Sequence, residues 1–196
     1  MKQTEKELQK RLNALIRQTF QDYKVEALDE FDQNFQREAF FTQKWARRRY
    51  NDDESRGMLV QSGTLRRSIT GSVTQNSVVI ESSVPYARIH NEGGSITVTR
   101  RMKGFFWWKY QTLTGGKSAD GMAANLQRKK NGAPRNNKRN RQLTADAAFY
   151  LAMALKKAGS KIHIPKRQFI GMHPQLEAQL RQIFSENAAE AFSDSV

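Results

Sequence analysis

Apolar residues open the chain at helical spacing. Leu8, Leu12, Leu15, Ile16 and Phe20 predict an amphipathic helix over residues 3–20. A second helical stripe, Leu28, Phe31 and Phe35, runs on toward Phe40 and Phe41. Trp45, the basic run Arg47-Arg48-Arg49 and the acidic run Asp52-Asp53-Glu54 then read as the end of the helical region and a connecting loop. Beyond it the period shortens to two. Leu65, Ile69, Gly71 and Val73 alternate with Arg66, Ser68, Thr70 and Ser72, the pattern of a half-buried strand. Gln75-Asn76 is a turn, and Val78, Ile80 and Val84 continue the alternation as the return strand of a β-hairpin. Pro85 ends it, and Tyr86 to Asn91 has room for one helical turn, stopped by Gly93-Gly94. Ile96 and Val98 predict a third strand.

Phe105, Phe106, Trp107, Trp108 and Tyr110 follow as a dense aromatic knot, and residues 114–142, rich in Gly, Asn, Lys and Arg, read as a mobile loop. Helical spacing returns with Leu143, Ala147, Leu151 and Leu155. Ile162 and Ile164 make a short fourth strand ended by Pro165. A final helix starts near Pro174, where a missing N–H costs nothing, and carries Leu176, Leu180, Ile183, Phe184 and Phe192. This order predicts an α+β fold: a small antiparallel sheet packed with N-terminal and C-terminal helices, interrupted by a long basic insertion loop. Residues 1–196 read as a single α+β domain, with an N-terminal helical region at 1–45, a hairpin and third strand at 59–99, the basic insertion at 100–142 and a helix-strand-helix at 143–196.

Charge sharpens this organisation. The chain of 196 residues carries 33 Lys and Arg against 19 Asp and Glu, yet residues 1–99 have a net charge of only +2 and residues 142–196 of +1. Residues 100–141 hold 12 basic side chains and one acid, Asp120, a net of +11. The residues of this segment that would meet a polyanionic partner are Arg100, Arg101, Lys103, Arg128, Lys129, Lys130, Arg135, Lys138, Arg139 and Arg141. A near-neutral body with one basic arm suggests a polyanionic partner surface, either nucleic acid or an acidic protein; a solvated loop has the same composition. The absence of cysteine excludes a disulfide scaffold, a Cys-ligated zinc and a thiol nucleophile. The charged first thirty residues contain no secretory signal pattern, and no stretch reaches the ~18 apolar residues of a membrane span. A soluble, intracellular protein without membrane contact is the expectation.

Candidate chemistry is sparse. Thr114-Gly115-Gly116-Lys117-Ser118 resembles the end of a phosphate-binding loop, but Gln111 stands where the motif needs glycine. His90, His163 and His173 lack zinc-ligand spacing and read as hydrogen-bonded structural histidines. Asp52-Asp53-Glu54 has no second carboxylate group to complete a two-metal site. Ser62 and Ser68 have no nucleophile-elbow context. The residues therefore point to no enzyme, no metal and no cofactor. The aromatic–basic block 100–110 combines what a single-strand binder needs, stacking rings and phosphate-tracking cations, but its aromatics are consecutive. A buried or subunit-facing hydrophobic cluster is the preferred reading.

Three stretches, taken in order, carry a resemblance. Leu59-Val60-Gln61-Ser62-Gly63-Thr64-Leu65-Arg66-Arg67-Ser68-Ile69 enters the hairpin. Val84-Pro85-Tyr86-Ala87-Arg88-Ile89-His90-Asn91-Glu92-Gly93-Gly94 forms the turn. Ile164-Pro165-Lys166-Arg167-Gln168-Phe169-Ile170-Gly171 precedes the last helix. With Phe31-Asp32-Gln33-Asn34-Phe35 and Trp45 upstream, these resemble the phage virion morphogenesis family, tail-completion proteins like the G protein of phage Mu, over most of residues 25–185. The motif positions are Gly63, Leu65, Ser68, Tyr86, His90, Gly93, Pro165, Arg167 and Phe169. The resemblance implies a structural protein of the virion neck, made in the host cytoplasm and placed at the head–tail junction. It implies a ring of copies of the chain, commonly hexameric, around the channel through which genomic DNA passes, with neck and tail-tube proteins as neighbours. Segment 100–141 departs from the family pattern and inherits nothing from it; a nucleic-acid-binding module acting through that segment is the alternative reading.

Physical roles follow for the motif residues. Gly63 and Gly93-Gly94 permit tight turns. Tyr86 and His90, four apart, pack together on the sheet. Pro165 ends a strand so that Phe169 can anchor the final helix.

Overall fold

A computed structural model describes residues 2–47, 57–60, 62–75, 77–117 and 121–193. In it the two N-terminal helical stripes are one helix, α1 (Lys2–Arg37). Neither Gly nor Pro interrupts this stretch, so the backbone has no reason to break where the apolar stripe changes face. A tight ribbon follows, β1 (Ala39–Phe40) against β2 (Gln43–Lys44). The strand expected from Leu65 begins instead with one helical turn, α2 (Thr64–Arg67), which buries Leu65. Gly63 precedes it at φ 68°, the left-handed region glycine favours. The hairpin is as expected: β3 (Ile69–Val73) pairs antiparallel with β4 (Val78–Ser82), from Ile69 opposite Ser82 to Val73 opposite Val78. The turn residue Asn76 lies outside the described residues, as do Arg48, Arg49, Gln61, the Asp52-Asp53-Glu54 run, Ser118 and Asp120.

Next come α3 (Ala87–Glu92), β5 (Gly94–Thr97), α4 (Arg100–Thr114), α5 (Lys138–Leu155), β6 (Lys161–Ile164) and α6 (Pro174–Ser193). The fold is α+β, but its strands form three separate two-stranded antiparallel ribbons among the described residues rather than one sheet. β5 and β6 pair across the sequence, Gly94 opposite Ile164 and Thr97 opposite Lys161, and so close the ends of the central segment together.

The chain divides into two compact units. The first comprises Met1–Ala46, Ser55–Gly93 and Pro165–Val196; the second comprises Arg47–Glu54 and Gly94–Ile164. In the first unit α6 runs antiparallel to α1: Gln179 reaches Glu30, and Asn187 reaches Thr19 and Asp22. The hairpin lies against α1 at Gly71, where a Cβ would sit 2.9 Å from the Lys24 side chain. Two apolar clusters fill the interior. Ala27, Phe31, Phe40, Phe41 and Leu176 form one; Phe35, Trp45, Leu65, Ala87 and Phe169 form the other; Ile170 packs on both. Phe169 is thus completely buried, as its motif position suggests, but α6 is held on the core through Leu176.

The second unit comprises an antiparallel helix pair and the β5–β6 ribbon. Phe106 of α4 packs on Phe149 and Tyr150 late in α5, at 6.0 and 6.3 Å between ring centres. Tyr110 and Thr114, later in α4, share a groove with Leu143 and Ala147 early in α5. Both helices begin on side-chain caps: Thr99 accepts from the Met102 N–H and Asn137 from the Asn140 N–H. These caps make helix of the two ends of the basic segment, residues 100–114 and 138–141, that composition alone reads as loop.

Candidate interaction surface

The family motif residues converge on one joint of the first unit. Asn34 is fully buried in α1; its side chain donates to the Phe169 carbonyl at 3.3 Å and accepts the Phe41 N–H at 2.8 Å. Trp45 Nε1 donates to the Gln168 carbonyl at 2.6 Å. Arg167, also buried, gives its main-chain N–H to the His90 carbonyl at 2.8 Å and its Nε to the Ala46 carbonyl at 2.9 Å. Asn91 accepts the N–H groups of Phe169 and Ile170. Gly93 turns at φ 76° with Lys166 so near that a Cβ would lie 2.9 Å from its main-chain nitrogen. Pro165 directly follows β6. The segment after β6, residues 167–170, is therefore held mainly by hydrogen bonds between side chains and backbone, shared with α1, the residues after β2 and α3.

The hairpin entry is locked similarly. Ser68 Oγ donates to the Leu65 carbonyl at 2.7 Å and shares a hydrogen bond with Ser82 Oγ at 2.7 Å. Arg66 makes a two-pronged ion pair with Asp32 of α1, which holds the Asp32 carboxyl below the usual range. His90 departs from expectation. Its ring meets Tyr86 edge-on at 6.1 Å, but its buried Nδ1 has no hydrogen-bond partner among the described residues. Burial, and then the Arg167 charge, push its pKa down. His173 follows its sequence reading, its Nδ1 accepting the Gln175 N–H, whereas His163 is exposed beside two half-buried isoleucines.

The basic positions separate into two groups. Arg100, Arg101 and Lys103 occupy the first turn of α4, at one end of the helix pair. At the other end are Lys138, Arg139 and Arg141 of α5, together with the loop that carries Arg128, Lys129, Lys130 and Arg135. That loop is built, not merely solvated. Arg128 bridges Pro134, the Lys129 N–H donates to the Ala133 carbonyl at 2.8 Å and the Gly132 N–H to the Lys129 carbonyl at 3.0 Å, so Lys129 and Lys130 sit on a tight turn. Arg135 Nε donates to the Arg128 carbonyl at 3.0 Å. Buried Asn140 ties the loop to α5: its side chain accepts the Gln127 N–H and donates to the Gln127 and Arg135 carbonyls at 2.7–2.9 Å. Asn125 Nδ2 does the same for the Leu113 carbonyl at 3.0 Å. Asparagine amides supply here the order that an apolar core supplies elsewhere, a signal that composition conceals. Gly115, in the stretch resembling a phosphate loop, is the C-terminal cap of α4 at φ 65°, whereas a phosphate cradle opens a helix.

The aromatic knot is not buried as a whole. Phe106 packs inward, while Phe105, Trp107 and Trp108 are 50%, 47% and 57% exposed. These alternatives coexist because the aromatics are consecutive on a helix and point in several directions. Lys109 Nζ, absent from the basic positions singled out above, lies 5.8 Å from the Phe105 ring and 5.2 Å from that of Trp108. Gly104 lies between Arg100–Arg101 and Trp107–Trp108, and a Cβ there would meet nothing within 4 Å. Residues 94–164 carry 15 basic and two acidic side chains, a net of +13, so most of these cations have no carboxylate within their own segment. Among the described residues no group of three or more His, Asp or Glu side chains is placed to hold a metal ion, and no helix is long and apolar enough to cross a membrane.

The clamped segment after β6 and the basic segment that interrupts the first unit in sequence can be set beside known families. The chain matches the phage virion morphogenesis family over residues 33–187 and belongs to it. No curated protein and no solved structure matches it.

Proposed function

We propose that the protein is a non-enzymatic structural component of a tailed-phage virion that completes the tail and joins it to the head. In this reading, copies of the chain, six by analogy with related neck proteins, form a ring around the DNA channel and contact neighbouring neck and tail-tube proteins. Family membership over residues 33–187 carries the proposal. Two-stranded ribbons with unpaired outer edges support it, since a neighbouring subunit can complete such edges. A head-to-tail contact repeated by rotation closes a ring. Electron microscopy of lysates from a phage lacking the gene tests it. Full heads beside separate, complete tails are expected; normal infectious particles would refute it.

A nucleic-acid-binding module is the second reading, favoured by the net +11 of residues 100–141. Six cations on phosphates would give a log–log salt slope of about −5. Replacing Lys129, Lys130, Arg135, Lys138, Arg139 and Arg141 by Gln separates the readings. A module loses DNA retention and function together, whereas a connector still joins heads to tails.

A further inference from the structure

Two exposed surfaces, one in each unit, are of opposite character. The first is the outer face of α4. Arg100 and Arg101 lie one turn before Gly104, and Trp107 and Trp108 one turn after it. With Phe105 these form an apolar patch carrying guanidinium groups, the composition that anchors protein interfaces. A glycine inside an exposed helix is less favourable than alanine. Because Gly104 has open space beside it, close packing within the chain does not explain it. The open space leaves room for a neighbouring backbone between the arginines and the tryptophans.

The second surface is the acidic seam of α1 and α6. From Asp22 to Arg37, α1 carries five carboxylates against Lys24 and Arg37. Glu30 is paired with Arg37 and Asp32 with Arg66. Asp22, Glu26 and Asp29, at i, i+4 and i+7 on one face, have no cation partner among the described residues. Burial first, and then the neighbouring Glu30 and Asp29, push the Glu26 pKa up. Val25 stands 62% exposed beside them. On α6, Glu186 and Glu190 follow Gln179 at i+7 and i+11, on the side of that helix that meets Glu30.

We infer that the α4 face of one copy docks on the α1–α6 acidic seam of the next, with Arg100 and Arg101 meeting Asp22, Glu26 and Asp29, and Trp107 and Trp108 covering Val25. This rests on the ring reading above and names its interface. The two surfaces are unlike, so the contact is head-to-tail and can repeat. The observations favour a protein over a nucleic-acid strand here. Base stacking needs open ring faces, and the Lys109 ammonium already lies over Phe105 and Trp108.

The test uses the full chain during particle assembly in infected cells. Trp108→p-benzoylphenylalanine is supplied in trans and irradiated. A cross-linked band at twice the 22.5 kDa chain mass is expected, its cross-link mapping to residues 22–29. R100E/R101E should abolish that band, and adding D22K/E26K/D29K to the same chain should restore it. A cross-link elsewhere, none at all, or no restoration by the reversed pair overturns the proposal. Loss of single-stranded oligonucleotide retention in R100E/R101E without the 22–29 cross-link would assign the face to nucleic acid and equally overturn it. The ring reading is judged separately: if R100E/R101E particles still join head to tail, the interface is refuted while the connector stands.

Discussion

Asn91 holds Phe169 in place: its side-chain oxygen accepts the main-chain N–H of Phe169 at 2.9 Å and that of the next residue, Ile170, at 3.0 Å. A helix of six residues, α3, thereby fixes a segment some eighty positions away in sequence. The motif around Tyr86 and the motif around Pro165 are one structural device. Asn91→Ala leaves two backbone donors unpaired and should cost about 1–3 kcal/mol in chemical denaturation, with Asn91→Asp, which keeps the acceptor, costing less. Equal stability of Asn91→Ala and wild type would contradict this joint.

Phe169 is the point where the joint meets the core. It is completely buried, 5.2 Å from the Phe35 ring centre, which in turn meets Trp45 edge-on at 5.7 Å. Phe169→Ala should destabilise the protein by about 3–5 kcal/mol. Because α6 is held chiefly through Leu176, Leu176→Ala should cost about 2–5 kcal/mol in its own right. Thermal unfolding of the two variants checks both values.

His90 makes stability depend on pH near neutrality. Burial, then Arg167, lower its pKa in the folded chain, so the folded state resists the proton that the unfolded chain accepts at about pH 6.5. Its contribution is complete above that pH and is lost as pH falls from there through the folded value. Denaturation midpoints measured from pH 8 downward should therefore drop sooner in wild type than in His90→Gln. Parallel profiles would mean that His90 is not the group responsible.

Asn140 governs the basic loop. Replacing it by Ala removes three hydrogen bonds to Gln127 and Arg135. Losing about 1–2 kcal/mol of local stability should speed tryptic cleavage at Lys129 and Lys130 about 5–30-fold, while α1 and α6 remain intact. Unchanged cleavage would mean that the loop opens independently of Asn140.

Much of this architecture is legible in the chain because short strands and capped helices announce themselves locally. Alternation from Ile69 to Val73 and from Val78 to Ile80, the stop at Gly93 and the start at Pro174 all mark real boundaries. What escapes is set by tertiary structure. The stripe of α1 changes face where its packing begins: Leu8, Leu12 and Ile16 stay exposed while Ala27, Phe31 and Phe35 are buried, and this imitates a helix break. α4 hides its period because aromatics point both inward and outward. Loop residues 121–137 owe their order to Asn125, Asn137 and Asn140, whose polar side chains resemble those of a solvated tail. The basic residues are legible in the sequence as a group, but their division between two ends follows only from the antiparallel pairing of α4 and α5.

The most direct measurement of the connector reading is a cryo-electron microscopy reconstruction of the neck of intact virions. The account expects a closed ring of this chain between head and tail, with the α1–α6 pair recognisable in every subunit and the DNA path through its centre. Particles whose head–tail junction lacks this fold, or that carry it elsewhere, would contradict the account.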